Sequence, residues 1–485
     1  MSNLLLVPLF LHYWSPIRYG EWLVISSLAA YLGSADFGMT SAAINELTQR
    51  YCRKEFDRFV QLLHTALTVY VCFAGIVTFL GYALFTRLPL NWVGIHHGSR
   101  EVGIAAALLV AQVVWYFPSS VILNFYRTIG DFHKSQWLGN LYQLLTVVVT
   151  AVGLATGAGF VRLAALQLGV PLVLSALVAA LINVQHPDVA LGFRHTSLKE
   201  IGPLFRTGSS FMVMTIGNTI SMQGPILVVS LALGPVFVTA YSTVRTLANS
   251  VRQVVGVFTA AAWPELTVAQ ASGNRELARR IHRGLVIATT SLATAAGASL
   301  WFVGPQIFSA WTRAQLPDTT QLIRWFAVQV VLQAPWIASS CVSESSNRNR
   351  FLSFLYSGSA ITSVVISAFA IRYFGVGAVP ASIVVAELCI CAHFVIKDSC
   401  KLLNEDYKVF AVHLWTRVFL LIAVASLTAW LFSLMPIEHV IPRSIVVSIG
   451  TALVVCTTAW FCWLNRSEKK RLSGTLLSFA ERLAV

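Results

Sequence analysis

Apolar runs of about twenty residues, parted by short polar stretches, recur from one end of the chain to the other. About twenty apolar residues is the length an α-helix needs to cross the hydrocarbon of a bilayer. The cores fall at 2–14, 20–46, 59–86, 101–126, 136–157, 163–186, 203–232, 237–263, 281–308, 321–343, 351–374, 379–396, 412–434 and 444–464. The pattern predicts an all-α polytopic membrane protein of about fourteen transmembrane helices, the first of them partial. The opening run MSNLLLVPLFLHYW is too short for a full span and has no basic lead, so it reads as the second half of a truncated first helix rather than a signal peptide. Pro118, Pro171, Pro225 and Pro335 lie inside spans and predict kinks, which membranes tolerate where neighbours re-satisfy the backbone.

The chain also repeats itself. AAINELT at 42–48 returns as AAWPELT at 261–267, and QVVWYFP at 112–118 returns as QVVLQAP at 329–335. The offset spans six helices, an even number, so both copies keep one orientation. Such repeats predict two parallel six-helix lobes around a central cavity, related by an axis along the membrane normal. The expected domains are an N-lobe at 1–202, a C-lobe at 203–411, two extra helices at 412–465 and a basic tail at 466–485.

Composition agrees: 56% of the 485 residues are hydrophobic and 11% charged, too little polar surface for a water-soluble body. The net charge of +14 does not point to nucleic acid, because the basic residues sit in short loops. Alternate loops and the tail hold 23 of the 34 Lys and Arg, including all eight lysines; the other loops hold 8; Arg245, Arg252 and Arg417 lie inside spans. By the positive-inside rule, both termini are expected in the cytoplasm. The eight cysteines form no CxxC pair and none falls in an external loop, so neither a disulfide framework nor a metal site is expected.

Candidate chemistry centres on residues 234–265. Arg245 and Arg252 are seven apart and share a helix face, about 10 Å apart along the axis, with Ser242 and Asn249. A guanidinium at membrane depth usually faces protein interior or a wet cavity. The stripe therefore reads as a lining for an anion; the other reading has one arginine at the interface and one paired with a carboxylate. At the repeat offset the arginines align with Ser26 and Gly33, while the first half carries Asp36. Asp36 is a proton-coupling candidate or a structural hydrogen-bonding group, and Glu387 with His393 is a second proton candidate. Gln329, Gln333 and Trp336 share one face; Gln112 and Tyr116 share the matching face of the first half; Gln136, Asn140 and Gln143 share another; Asn218 and Gln223 interrupt a span. Amides with aromatics suit sugar hydroxyls and ring faces, although each alone also suits interhelical hydrogen bonding. Glu46 and Glu265, at matched helix ends, are expected to pair with basic residues. No P-loop, nucleophile elbow, HExxH or aspartate cluster occurs, and the external loops are short, so an enzyme is not expected.

Tyr19-Gly20-Glu21-Trp22, Leu28-Ala29-Ala30-Tyr31-Leu32, Asp36-Phe37-Gly38 and Asn45 resemble the early signature of the polysaccharide-export and O-antigen flippases of the multidrug/oligosaccharidyl-lipid/polysaccharide superfamily. Gly234-Pro235, Tyr241, Leu247-Ala248 and Pro264-Glu265-Leu266 look like the second-half counterpart. The likeness runs to about residue 410, but the basic lead and complete first helix usual in the family do not appear. It implies a bacterial inner-membrane transporter that moves an undecaprenyl-pyrophosphate-linked oligosaccharide to the periplasmic leaflet. The cavity arginines would hold the pyrophosphate, without any cofactor. Implied partners are that lipid-linked cargo, membrane lipids, and polysaccharide polymerase and chain-length machinery. A lipid II-type flippase, a multidrug exporter of the same fold and a membrane glycan polymerase are the alternatives.

Overall fold

The protein was analysed as a computed structural model that describes residues 2–33, 36, 39–87, 99–189, 191–346, 348–436 and 439–463. In chain order the helices are α1 (Ser2–Tyr13), α2 (Pro16–Gly33), α3 (Met39–Cys52), α4 (Phe56–Phe85), α5 (Ser99–Leu123), α6 (Phe125–Thr128), α7 (Phe132–Ala155) and α8 (Phe160–Gln185). They continue as α9 (Leu198–Leu233), α10 (Pro235–Ala271), α11 (Arg275–Trp311), α12 (Thr320–Ser345), α13 (Asn349–Phe374), α14 (Ala378–Ala386), α15 (His393–Leu403), α16 (Tyr407–Ser433) and α17 (Val440–Trp463). A π turn over Glu387–Ala392 joins α14 to α15. No strand occurs among the described residues, and ten helical stretches there are long and apolar enough to cross a membrane. The protein is a multi-pass membrane protein. Each predicted span falls on a helix or on a pair of consecutive helices.

Three predicted spans are not the plain helices that periodicity suggested; the fourth breaks at Asn124, between α5 and α6. The second divides into α2 and α3. Between them Asp36 accepts from the Thr40 amide through Oδ1 at 3.2 Å and from the Thr40 hydroxyl at 2.7 Å. A short carboxylate that binds nearby backbone in this way competes with helix and favours its start. The twelfth span carries the π turn. Elsewhere the ends are set by ordinary caps: Asp131, Asn274 and Asp406 accept from amides three residues on. Gly234, between α9 and α10, has φ +86, a conformation that excludes side chains with a Cβ at little cost. Pro118, Pro171 and Pro335 sit inside helices. The Ser119 hydroxyl lies 3.3 Å from the Pro171 carbonyl and so gives a backbone group near one proline a partner.

The described chain gathers into two compact units. The first comprises 1–243, 315–317 and 356–379. Its core joins α3, α4, α5, α6 and α8, with Phe59, Leu63, Tyr70, Phe125 and Tyr126 almost fully buried. The start of α2 meets the start of α10: the Thr239 hydroxyl donates to the Pro16 carbonyl at 2.7 Å, and a Cβ on Gly20 would lie 1.9 Å from the Pro235 carbonyl oxygen. Arg50 ties α3 to α9 by pairing with Glu46 at 3.0 Å and Glu200 at 2.8 Å. Glu46 thus pairs as expected; its repeat mate Glu265 is exposed and makes no ion pair among the described residues.

The second unit comprises 244–314, 318–355 and 380–485. Here α11 packs along α12, α16 and α17. Small side chains on α11, among them Ala295 and Ala298, meet Ala425 and Ala429 of α16 and Val447 of α17. Such residues let membrane helices approach closely where no hydrophobic gradient drives them together.

Candidate functional site

The second unit brings together residues that the sequence placed on three separate spans. Gln329, Gln333 and Trp336 lie on the buried face of α12, 5%, 2% and 5% exposed. The Gln333 amide donates to Oε1 of Glu387 at 2.5 Å. Glu387 is itself buried and opens the π turn. The Gln329 amide, the Trp336 indole and the Arg252 guanidinium all interact electrostatically with the same carboxyl. Arg252, on α10, also donates to Oδ1 of Asn249 at 3.4 Å. The carboxyl is thus buried with amides and an indole around it, and Arg252 acts on it through its charge from beyond ion-pair distance. Nothing on α12 or α14 alone reveals that arrangement. The π turn adds a residue to the helical repeat and shifts which side chains share a face, and such turns recur at functional sites.

The first unit holds the counterpart. A cavity of about 420 Å³ is lined by Ser26 and Gly33 of α2, Gln112 and Tyr116 of α5, Tyr142 of α7 and Gln167 of α8. Ser26 and Gly33 are the repeat mates of Arg245 and Arg252, and Gln112 and Tyr116 those of Gln329 and Gln333. The two copies therefore use matching positions differently. One fills them with a cation and amides around a carboxylate. The other leaves small side chains and an open, amide- and tyrosine-lined space. Tyr142 and Gln167 were not singled out in the sequence, since each is a lone polar residue on an apolar helix.

The remaining candidates stand apart. Ser242 is buried, and Arg245 is half-buried on α10. Asn218 is exposed and its Oδ1 accepts from the Tyr356 hydroxyl at 3.5 Å. Gln136, Asn140 and Gln143 lie on the exposed face of α7 and do not line the 420 Å³ cavity. His393 does not join Glu387: its Nδ1 is 2.7 Å from the Tyr407 hydroxyl, at the α15–α16 turn. Asp36 is engaged with Thr40, with the Tyr70 hydroxyl close by. No group of metal-ligating side chains occurs among the described residues.

No family model matches the sequence, and no curated protein sequence matches it. Solved structures do match. A multidrug-resistance MATE family transporter of the MOP superfamily, in an inward-facing conformation, superposes with a TM-score of 0.72 at 15% identity, over 83% of this chain and 95% of that one. The chain shares the fold of that protein. The lipid II flippase MurJ, inward closed, matches with a TM-score of 0.65 at 12% identity over 93% of this chain and 96% of that one. A MOP superfamily transporter from Pyrococcus furiosus, described as having a binding pocket of reversed polarity, matches with a TM-score of 0.59 at 16% identity over 83% of this chain and 92% of that one.

Proposed function

We propose that the chain flips an undecaprenyl-pyrophosphate-linked oligosaccharide, an O-antigen or exopolysaccharide repeat unit, from the cytoplasmic to the periplasmic leaflet of a bacterial inner membrane by alternating access, with both termini cytoplasmic. The observation that carries this reading is the buried Glu387 carboxyl, bonded by Gln333 of α12 and within the electrostatic reach of Arg252 of α10. Arginine presents a planar fork that matches phosphate oxygens. While Glu387 is ionised it attracts that fork; a proton on Glu387 releases it to an incoming pyrophosphate. Loss of the proton returns Arg252 to the carboxylate and expels the cargo. Arg245, Asn249 and Ser242 extend the same helix toward the anion. The 420 Å³ space with Gln112, Tyr116, Tyr142 and Gln167 is large enough for a small molecule and offers the amides and ring faces that sugars use. Asp36 is retained as a second proton site, and Gln329, Gln333 and Trp336 as groups that orient Glu387.

Chain length supports a lipid-linked cargo over a drug. The likeness to the lipid II flippase spans 93% of this chain, whereas the likeness to the MATE transporter spans 83%. A lipid II-type cargo shares the pyrophosphate and is the second reading. The deciding experiment reconstitutes the protein in vesicles with a fluorescent pyrophosphate-linked oligosaccharide and follows its access to an external glycosidase. Flipping that depends on Arg252 and on a proton gradient is expected. Equal rates in protein-free vesicles, or transport of cationic drugs alone, overturn the proposal. A deletion strain separates flipping from polymerisation by accumulating single repeat units on the inner leaflet.

A further inference from the structure

A second site lies in the second unit, away from the Glu387 cluster. A cavity of about 550 Å³ is bounded by the first turns of α11, the α15–α16 turn, α16 and the end of α17. Its charged lining is Arg279, Arg283, His413 and Arg417 against Glu405 and Asp406. Most of that charge is already committed. Arg279 donates to the carbonyls of Leu403 and Asn404, at 2.8 and 2.6 Å, and so closes the end of α15. Arg283 lies 2.7 Å from the buried Glu405 carboxylate and neutralises it, although neither Glu405 oxygen has a hydrogen bond among the described residues, and Asp406 caps α16 by accepting from the Val409 amide at 2.9 Å.

Two donors are left over. Arg417 has neither an ion pair nor a hydrogen bond among the described residues. Trp463 is 5% exposed, and its indole N–H has no partner there either. A buried donor left unmade costs about 1–3 kcal/mol, and an unpaired guanidinium at membrane depth costs more. Arg417 lies ten residues into α16, about 15 Å along its axis. An acceptor-rich anion in the cavity answers both donors at once.

The surroundings say where that anion comes from. Val409, which lines the cavity, and Val412, Phe419 and Leu420 farther along α16 are exposed apolar side chains. Lys401 and Lys408 flank the α15–α16 turn, and the sequence continues after Trp463 with Arg466, Lys469, Lys470 and Arg471. Basic pockets between transmembrane helices at the lysine-rich face are where anionic headgroups bind. We propose that this cavity binds the phosphate headgroup of an anionic phospholipid from the leaflet on the lysine-bearing side. Its acyl chains lie along the apolar surface of α16. The site does not depend on what cargo the transporter carries.

The test uses the full-length protein purified in detergent, titrated with phosphatidylglycerol or with phosphatidylcholine of the same acyl chains, and read by native mass spectrometry. Phosphatidylglycerol is expected to be retained over phosphatidylcholine. Arg417→Gln is expected to lower its retention about fivefold, while Arg417→Lys keeps most of it. Trp463→Phe, which removes the N–H together with part of the ring, is expected to cost about fivefold and is read in place of Arg417→Gln if that variant does not fold. Arg324→Gln, at a different pocket, should change nothing. Equal retention of the two lipids overturns the proposal, as does undiminished phosphatidylglycerol binding in folded Arg417→Gln or Trp463→Phe protein. Displacement of the lipid by inorganic phosphate alone would mark a soluble anion instead and also overturns it.

Discussion

Removing Arg252 should harm the protein more than removing Arg252 and the Glu387 charge together. Glu387 is buried and takes one hydrogen bond from Gln333, with the Arg252 guanidinium acting on it through its charge. Deleting the cation leaves the buried carboxylate less compensated and costs about 1–3 kcal/mol. Glu387→Gln keeps an oxygen for Gln333 and removes the charge, so its own cost is about 1 kcal/mol. In Arg252→Ala/Glu387→Gln no charge is stranded, and most of the Arg252→Ala penalty should vanish. The expected coupling is about 1 kcal/mol, within the range for interacting residues. Denaturant titration of the four purified proteins in one detergent, followed by tryptophan fluorescence, measures it. Acidifying the buffer should help Arg252→Ala most, because a proton on Glu387 does what the Gln substitution does. If the double variant loses the sum of the two single losses, Arg252 and Glu387 are not coupled and the proton-exchange reading fails with them.

Arg245→Ala and Arg252→Ala are each expected to abolish surface polysaccharide export while the protein stays in the membrane, as judged by fractionation; normal polysaccharide in both strains contradicts an anion-holding role. Gly20→Ala should cost about 1–3 kcal/mol in thermal unfolding, because the new methyl would overlap the Pro235 carbonyl. Asp36→Asn should keep a cap on Thr40, and hence α3, but flatten the pH dependence of flipping in vesicles; an unchanged pH profile reduces Asp36 to a cap. The Thr320 hydroxyl and amide hold Asp318 below the usual carboxylate range. Its contribution is present above the ordinary carboxylate pKa and fades as pH falls through the lowered one. Asp318→Asn should therefore melt slightly earlier than the parent near neutral pH and together with it at about pH 3.

Most of the fold was legible because membrane spans announce themselves by length and apolarity alone. Fourteen predicted cores fall on helices, and the repeated QVV and ELT runs mark corresponding positions on α5 and α12 and on α3 and α10. The break at Asp36 and the π turn at Glu387 were not legible, since both replace regular hydrogen bonding by local polar contacts that periodicity does not register. The site was legible in parts. Gln329, Gln333, Trp336, Arg252 and Glu387 each stood out as polar on greasy helices. Their convergence on one carboxyl depends on packing between α10, α12 and the π turn, which no spacing encodes. The exposed amides of α7, Asn140 and Gln143, look the same in sequence as those of α12 and differ only in what faces them.

The wide turn at Glu387–Ala392 has a consequence for how this helix can change over time. One extra residue in a helix rotates everything beyond it by about 100°. Deleting a single residue there would leave a regular, membrane-competent rod, and His393 to Leu403 would swing a new set of side chains toward α12. Insertion or loss at that one codon is thus a cheap genetic dial. It can retune what the carboxylate faces without touching any residue of the cluster itself.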